Sequence, residues 1–269
     1  MDKNGSFKLK LIFPCWCPRT FKHIPHGMGV LAAFLRNNNY RVEQEDLHIK
    51  FDCHGHYFFP LNFKMVIYTS EFIEEVRRIL ETGTFKCRLG LIIDKLLDSL
   101  CLDKFNLIGF SINTDLQLYF ALLFSRRIKQ NIGIPIVFGG SFVTLYGHLY
   151  SEIFNCADYM IVGDGRVPLV KLIDYLNNKI TISEVPNLIY KEDKELRVNP
   201  REHYPLEEIP VPDFDGLPLD SYRNHWMKGD YMYFHIRLQE VAQIDVVFVS
   251  IHASIKSWNS NPTIKFLPT

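Results

Sequence analysis

The sequence predicts an α/β domain with a doubly wound parallel sheet, Rossmann-like or flavodoxin-like, followed by a hairpin and an extended connector. Short, nearly all-apolar runs alternate with longer segments whose apolar residues recur at helical spacing. This alternation implies parallel strands with right-handed crossovers, and apolar strands suit a sheet that is covered on both faces. With 269 residues the chain is also long enough to bury a sizeable core.

The first β-loop-α-β unit occupies the N-terminal segment. Leu9–Phe13 is an apolar run stopped by Pro14, which predicts a buried first strand. A loop rich in Pro, Cys and His leads to His26, and Gly27–Asn38 then has apolar residues at helical spacing. Tyr40–Glu45 predicts the second strand.

The middle of the chain continues the alternation after an irregular, aromatic-rich segment from Phe51 to Tyr68. Ser70 is a typical N-cap residue, and helices are predicted at Glu71–Glu81 and Arg88–Leu100. Three further strands are predicted at Asn106–Ser111, Pro135–Phe138 and Asp158–Val162. Each is followed by a predicted helix, at Asp115–Gln130, Phe142–Phe154 and Pro168–Leu176 respectively.

The pattern changes after Asn177. Two short runs, Asn187–Lys191 and Glu195–Val198, flank a polar turn and predict a hairpin. Pro200–Tyr222 is rich in Pro, Asp and Glu and predicts an extended connector, whereas Arg223–Thr269 shows neither an amphipathic helix nor clean alternation. We therefore expect an α/β domain at 1–180, a hairpin and connector at 181–222, and an irregular tail at 223–269.

Composition excludes several classes of partner. Thirty basic and thirty acidic residues cancel, which gives no electrostatic case for binding nucleic acid or an anionic membrane. Apolar runs are far shorter than the roughly 20 residues that span a bilayer. The polar N-terminus is unlike a signal peptide, so we expect a cytoplasmic protein whose six cysteines are reduced thiols.

Four loops of unusual composition follow the predicted strands. Ligands of open α/β sheets bind beyond the carboxyl ends of the strands, at the topological switch point. Glycine permits close backbone approach and positive φ, while Ser, Thr and Asn add hydrogen-bonding groups. Together the loops predict a nucleotide-like ligand, although each one alone is equally compatible with a simple turn. They are Pro14–His26, Ser111–Thr114, Gly139–Ser141 and Gly163–Gly165.

Standard motifs for other ligands are absent. No Gly-x-Gly-x-x-Gly follows the first strand, because Gly163–Pro168 lacks the third glycine and follows the last strand, and there is no Walker loop. Three groups of metal-ligating residue types lack zinc spacing, so we interpret them as core or solvated side chains and predict no metal site. These groups are Asp46–His48, Cys53–His56, and Cys15 and Cys17 with His23 and His26.

Several short segments, taken in order, resemble the N-terminal half of B12-binding-domain radical SAM proteins. The resemblance extends over about Phe7–Tyr222, and the ordered set is more specific than any one segment. The segments are Pro25–Gly29 with Leu31–Ala33, Ile108–Thr114, Val137–Ser141, Ile161–Gly165, Pro186–Tyr190 and Ile209–Phe214.

The resemblance implies a flavodoxin-like domain that binds cobalamin, with the corrinoid face over the first two loops and the nucleotide tail along Ser111–Thr114, Gly139–Gly140 and Gly163–Gly165. The sequence departs from the family at Arg166, where an acidic residue is common. It also lacks an Asp-x-His-x-x-Gly motif, which implies no histidine on cobalt. The implied cofactor-binding residues are His26, Gly27, Ser111, Asn113, Thr114, Gly139, Gly140, Ser141, Gly163, Asp164 and Gly165.

The family's pattern continues with Arg-Gly-Cys and a Cys-x-x-x-Cys-x-x-Cys loop, whose thiolates hold a [4Fe–4S] cluster that binds S-adenosylmethionine. No cysteine follows Cys156 in this chain. We therefore expect a chain truncated before that motif, unable to cleave S-adenosylmethionine reductively.

A shifted reading frame would explain the missing motif. If Gln239–Val249 is back-translated and read from the third base of the Gln239 codon, the triplets permit Arg-Gly-Cys-Thr-Asn-Arg-Cys-Cys-Phe-Cys, with the correct spacing. Codon degeneracy leaves a chance fit as the alternative, and the encoding DNA distinguishes the two. On the frameshift hypothesis, residues 237–269 are non-native and poorly ordered.

Two functional hypotheses follow. In the first, the chain is the cobalamin-binding domain of a radical SAM enzyme, methyltransferase-like, in which the corrinoid passes a methyl group. In the second, it is a stand-alone α/β module that binds another nucleotide-type ligand or has a regulatory role, without catalysis. No general acid, base or nucleophile can be assigned, and the substrate's determinants would lie in the absent radical SAM barrel.

Overall fold

The computed structural model describes residues 7–14, 24–53, 70–147, 151–222, 231–238 and 247–254. Within these ranges, seven strands form one sheet with helices on both faces. The strands are β1 (Lys8–Phe13), β2 (Arg41–Asp46), β3 (Leu107–Ser111), β4 (Ile136–Gly139), β5 (Tyr159–Ile161), β6 (Leu188–Glu192) and β7 (Glu195–Val198). The helices are α1 (His26–Asn37), α2 (Leu47–Cys53), α3 (Ser70–Thr82), α4 (Arg88–Asp98), α5 (Asp115–Asn131), α6 (Ser141–Tyr146) and α7 (Arg166–Leu176).

The strand order is β2-β1-β3-β4-β5-β6-β7. β1 to β5 are parallel, in the 2-1-3-4-5 order of flavodoxin-like folds, and β6 and β7 extend the β5 edge in antiparallel fashion. The predicted fold class is therefore confirmed, including the hairpin. Asp193 and Lys194 in its turn have φ of +50° and +67°, as a two-residue type I′ turn requires.

Each face of the sheet has its own hydrophobic cluster. α3, α4 and α5 cover one face, where Phe72 and Phe120 pack near the β4 residue Phe138. α1 and α7 cover the other face, where Leu35 and Leu172 are fully buried. Burial of each such side chain stabilises the fold by roughly 1.5–3 kcal/mol, which explains why the central strands β3 and β4 are largely apolar on both faces, whereas the edge strand β2 exposes Arg41 and Glu43.

The connector is extended, as predicted, and is fixed across α1 and β2. The Asp213 amide donates to the Gly29 carbonyl at 3.0 Å, and the Asp213 carboxylate pairs with Arg36 at 2.5 Å. The Phe214 ring lies so close to Gly29 that a Cβ there would be 2.4 Å from its Cε1. The Gln44 side chain also donates to the Asp213 carbonyl at 2.8 Å. The connector thus belongs to the folded α/β unit.

One predicted helix is shorter than expected. The sequence predicts a helix over Phe142–Phe154, but α6 ends at Tyr146 and a separate 3-10 turn covers Ser151–Asn155. The helix ends beside buried Gly147, where a Cβ would be 2.6 Å from the Met160 sulfur of β5. Gly147 itself keeps helical backbone angles, with φ of −56° and ψ of −33°, and residues 148–150 lie outside the described ranges.

Two further strands lie where the sequence predicted an irregular tail. β8 (Tyr231–Leu238) and β9 (Val247–Ser254) pair antiparallel in a separate two-stranded sheet. The remaining residues of 223–269 lie outside the described ranges. Within those ranges, each helix is too short or too polar to serve as a transmembrane span.

Candidate cofactor-binding site

The topological switch point lies between β1 and β3, which are neighbours in the sheet. The chain leaves β1 for α1 on one face and leaves β3 for α5 on the other. In sheets of this topology, ligands bind in the crevice that such a switch point forms at the carboxyl edge. The loops after β4 and β5 continue the same edge.

The loops after β3 and β4 are held together by their polar residues. Ser111 and Gly139 are paired in register at the ends of the two strands. The Asn113 side-chain oxygen accepts from the Ser141 amide at 3.2 Å and from its hydroxyl at 3.1 Å. The Thr114 hydroxyl accepts from the Gln117 amide at 3.2 Å and caps α5. These predicted site residues are thus brought together, with Asn113 exposed at the edge.

Gly140 is the position where only glycine fits. Its φ of +105° and ψ of 173° lie in a region that is essentially restricted to glycine. A Cβ would be 2.3 Å from the Ile112 carbonyl oxygen and 2.6 Å from the Ile112 nitrogen. The Ile112 amide donates to the Gly139 carbonyl at 2.8 Å, and the Phe142 amide donates to the Ile112 carbonyl at 3.1 Å. The two loops interlock through backbone atoms at this glycine.

Thr144 joins the loop after β4 to the loop after β5. Its hydroxyl donates to the Gly140 carbonyl at 2.9 Å and accepts from the Gly163 amide at 2.9 Å. Sequence analysis missed this residue, because a threonine one turn into a helix carries no local signal of a tertiary contact. The hydroxyl therefore connects the Gly139–Ser141 loop to the Gly163–Gly165 loop.

We expect the Thr144→Val variant to lose about 1–2 kcal/mol of unfolding free energy, because the isosteric methyl leaves the Gly163 amide and the Gly140 carbonyl with one hydrogen bond fewer each. Urea unfolding measures the loss. Thr82→Val is the matched control, since the exposed Thr82 hydroxyl donates to the Arg78 carbonyl and water replaces that bond. Equal effects of the two substitutions would contradict the structural role of Thr144.

Arg166, the residue that departs from the family pattern, is buried beside the Gly163–Gly165 loop. Only 2% of its surface is exposed. Its guanidinium donates to Asp164 Oδ2 at 2.9 and 2.7 Å, to Asp164 Oδ1 at 3.2 Å and to the Pro205 carbonyl at 3.1 Å. It also lies 5.9 Å from the Phe34 ring centroid. The arginine thus joins the Gly163–Gly165 loop to the connector and to α1.

His26 and Gly27 occupy the first turn of α1, at the same edge of the sheet. The His26 ring packs edge-on against Phe214, with centroids 6.4 Å apart, and burial lowers the pKa of its imidazole. Gly27 is exposed, and a Cβ there would meet no atom within 4 Å. His26 therefore contacts the connector, and the backbone of Gly27 is exposed at the surface.

The glycines of the edge leave room for a ligand. Among the described residues, a Cβ on Gly139 would come within 4 Å of the Ile161 carbonyl oxygen alone, at 3.8 Å, and a Cβ on Gly163 within 4 Å of the Asn187 side chain alone, at 3.9 Å. Their Cα faces border open space, while the backbone amides and carbonyls beside them remain within reach.

Asp46, one of the metal-ligating residue types in the sequence, has a structural role. Its carboxylate caps α2 by accepting from the His48 and Ile49 amides at 2.8 and 3.1 Å. The other oxygen accepts from the Tyr222 hydroxyl at 2.7 Å. Burial raises the pKa of this carboxyl to about 7. Cys15, Cys17, His23 and residues 54–56 lie outside the described ranges, within which no three His, Cys, Asp or Glu residues cluster as a metal site would require.

A cavity of about 270 Å³ lies at the edge of the sheet opposite to the glycine loops. Tyr159, Tyr175 and Tyr190 line it together with Asp158, which directly precedes β5. Because Asp158 marks the amino end of β5, this cavity is remote from the glycine loops. It is an alternative location for a small ligand.

The chain is similar to one known protein in sequence and to others in structure. No profile of a known protein family matches it. It is 31% identical over 103 residues to an uncharacterized methyltransferase of Pyrococcus horikoshii, which covers 37% of this chain and 22% of the relative. The solved structure of the cobalamin-dependent S-adenosylmethionine radical enzyme OxsB, with aqua-cobalamin and S-adenosylmethionine bound, superposes with a TM-score of 0.54 at 18% identity.

The match to OxsB covers 81% of this chain and 25% of that chain. The radical S-adenosylmethionine methyltransferase TsrM of Kitasatospora setae matches with a TM-score of 0.45 and 16% identity, over 72% of this chain and 30% of that chain. This chain therefore spans between about a fifth and a third of the length of these relatives. The similarity to OxsB shows that the α/β fold is shared.

Proposed function

We propose that the chain binds cobalamin in the crevice between β1 and β3, as the corrinoid-carrying part of a methyl-transfer system. The observation that carries this proposal is the continuous carboxyl edge. The loops after β3, β4 and β5 are hydrogen-bonded to one another through Asn113, Gly140 and Thr144, yet the faces of Gly139 and Gly163 border open space. A buried nucleotide tail needs this combination of a rigid wall and close backbone approach.

The residues divide into two parts of the proposed site. His26 and Gly27, at the start of α1, would face the corrin ring together with the loop after β3. Ser111, Asn113 and the glycines of the next two loops would hold the nucleotide tail with hydroxyl, amide and backbone groups. Bound cobalamin supplies a cobalt centre that carries a methyl group. No residue is assigned as a histidine ligand to cobalt, because Asp46 and His48 belong to the capped start of α2.

The methyl-transfer context is supported by two similar proteins whose names include this chemistry or this cofactor. One is a methyltransferase and the other a cobalamin-dependent radical enzyme. The chain itself contains no Cys-x-x-x-Cys-x-x-Cys motif, so its residues do not fit a [4Fe–4S] cluster, and we assign no S-adenosylmethionine cleavage to it. The proposed role is therefore cofactor binding.

Titration of the full chain with hydroxocobalamin tests the proposal, and we expect one corrinoid per chain with micromolar or tighter affinity and a shifted corrin absorbance. The Gly139→Val variant should weaken binding at least tenfold, because its side chain projects into open space at the edge without a clash inside the fold. Its urea unfolding curve should remain close to that of the unsubstituted protein.

Flavin mononucleotide serves as the competing ligand, since a nucleotide-binding regulatory module is the alternative function. Binding of the flavin but not of hydroxocobalamin by the folded chain would favour that alternative. Binding of cobalamin that is unaffected by Gly139→Val would locate the corrinoid elsewhere.

A further inference from the structure

Gln117 is a fully buried polar side chain in the first turn of α5. Its Nε2 donates to the Pro14 carbonyl at 3.1 Å, and its Oε1 accepts from the Asn113 amide at 2.7 Å. Its own backbone amide donates to the Thr114 hydroxyl at 3.2 Å. Only this orientation of the side-chain amide satisfies both partners, because one is a carbonyl and the other an N–H group.

The two partners of the side chain stand on opposite sides of the switch point. Pro14 directly follows β1, at the start of the connection to α1, and Asn113 lies in the loop after β3. Both backbone groups are beyond the last paired residues of their strands, Ile12 and Phe110 in the β1–β3 ladder. The sheet therefore no longer sets their separation, and the Gln117 side chain bridges them instead.

Asn113 in turn holds Ser141 through its side chain, so the bridge is connected to the rest of the wall. The loop after β1 leads to His26 and Gly27, which we place against the corrin ring. Gln117 thus joins the part of the edge that would face the ring to the part that would hold the tail.

We propose that Gln117 is a positioning residue that sets the width of the crevice at the switch point and thereby the affinity for the corrinoid. This inference rests on the proposed function. Gln117 does not touch the ligand in this account. It holds the Pro14 carbonyl and the Asn113 amide at one separation before the ligand arrives, so that binding does not have to order the two loops.

Two substitutions separate the contributions of the two hydrogen bonds that the Gln117 side chain makes to Pro14 and Asn113. Gln117→Met has a similar volume and removes both hydrogen bonds. Gln117→Glu keeps the acceptor for the Asn113 amide and, when ionised, places an oxygen against the Pro14 carbonyl. Phe124→Leu is the matched control, because Phe124 is fully buried on the same helix, packs against Phe110 in the core and has no polar side-chain atom that could hydrogen-bond to the loops.

The experiment measures hydroxocobalamin affinity, urea unfolding and amide hydrogen exchange of each full-length variant. We expect Gln117→Met to weaken binding at least tenfold, Gln117→Glu to weaken it by less, and Phe124→Leu to change it by less than twofold at a comparable loss of stability. Exchange of the Asn113 amide should accelerate at least tenfold in ligand-free Gln117→Met and stay slow in Gln117→Glu.

Unchanged affinity of a folded Gln117→Met variant would overturn the inference, as would equal losses of affinity in Gln117→Met and Phe124→Leu. If the unsubstituted chain fails to bind hydroxocobalamin, the proposed function fails. The bridge is then judged on Asn113 exchange in the ligand-free variants alone, where unchanged exchange in Gln117→Met refutes it and faster exchange supports it.

Discussion

The Gly140→Ala variant is expected to lose about 4 kcal/mol of unfolding free energy and its measurable cobalamin affinity. Backbone strain of about 1–3 kcal/mol arises because alanine rarely adopts the φ of +105° and ψ of 173° found here. The added Cβ would also lie 2.3 Å from the Ile112 carbonyl oxygen, which is backbone and cannot rotate away. The loops after β3 and β4 must separate to relieve this contact, and the proposed tail-binding wall separates with them.

Gly133→Ala is the matched control for this prediction. Gly133 also has a positive φ, +76°, but a Cβ there would meet no atom within 4 Å. The control should therefore show the conformational cost alone, about 1 kcal/mol, with unchanged cobalamin affinity. Urea unfolding and hydroxocobalamin titration of both variants provide the comparison. Equal losses of stability would show that the contact with Ile112 is unimportant.

The second large effect is a dependence of stability on pH. Burial raises the pKa of Asp46 from 3.8 to about 7, so between these values the folded chain retains a proton that the unfolded chain has lost. Stability must then fall as the pH rises. We expect Asp46 to lower the unfolding free energy by about 2–3 kcal/mol between pH 5 and pH 8.

Replacement of Asp46 by Asn isolates this contribution. The amide oxygen can still cap α2, and its NH₂ group can donate to the Tyr222 hydroxyl, so the fold is retained without a titrating group. The unfolding free energy of Asp46→Asn should decline less between pH 5 and pH 8. His26, whose pKa is lowered by burial, contributes with the opposite sign, with stability rising toward pH 6.5, and it does so equally in both proteins.

Asp174→Asn is the control for the pH measurement. Hydrogen bonds from Lys179 and Tyr40 lower the pKa of Asp174 despite its desolvation, so its contribution is lost only in acid and is constant above pH 5. The decline between pH 5 and pH 8 should therefore persist in this variant. A decline that also persists in Asp46→Asn would contradict the assignment to Asp46.

The sheet could be predicted from the sequence because its information is local. Runs such as Leu9–Phe13 and Pro135–Phe138 are largely apolar and are stopped by proline or glycine, which is typical of buried parallel strands. The parallel direction of the strands follows from the alternation with helices, since crossovers are right-handed, whereas the strand order was established by the structure. The early end of α6 at Tyr146 was not predicted from the sequence.

The candidate site could be predicted only as a set of loops. Glycine, Ser, Thr and Asn at strand ends are visible in the sequence, and topology brings those ends to one edge. The groups that fix the loops are not visible. Gln117 and Thr144 sit in helices and have the residue types of solvated positions, and Arg166 is buried only because Asp164 and Pro205 both accept from it. Their roles depend on tertiary contacts.

The central claim, that the glycine loops at the β1–β3 switch point hold a corrinoid, is tested most directly by amide hydrogen exchange of the full chain with and without hydroxocobalamin. We predict slower exchange in residues 111–114, 139–141 and 163–165 when the corrinoid is present, and unchanged exchange around Tyr159 and Tyr175 at the opposite edge. Protection confined to the tyrosine-lined cavity, or no protection in a folded chain at saturating hydroxocobalamin, would contradict the claim.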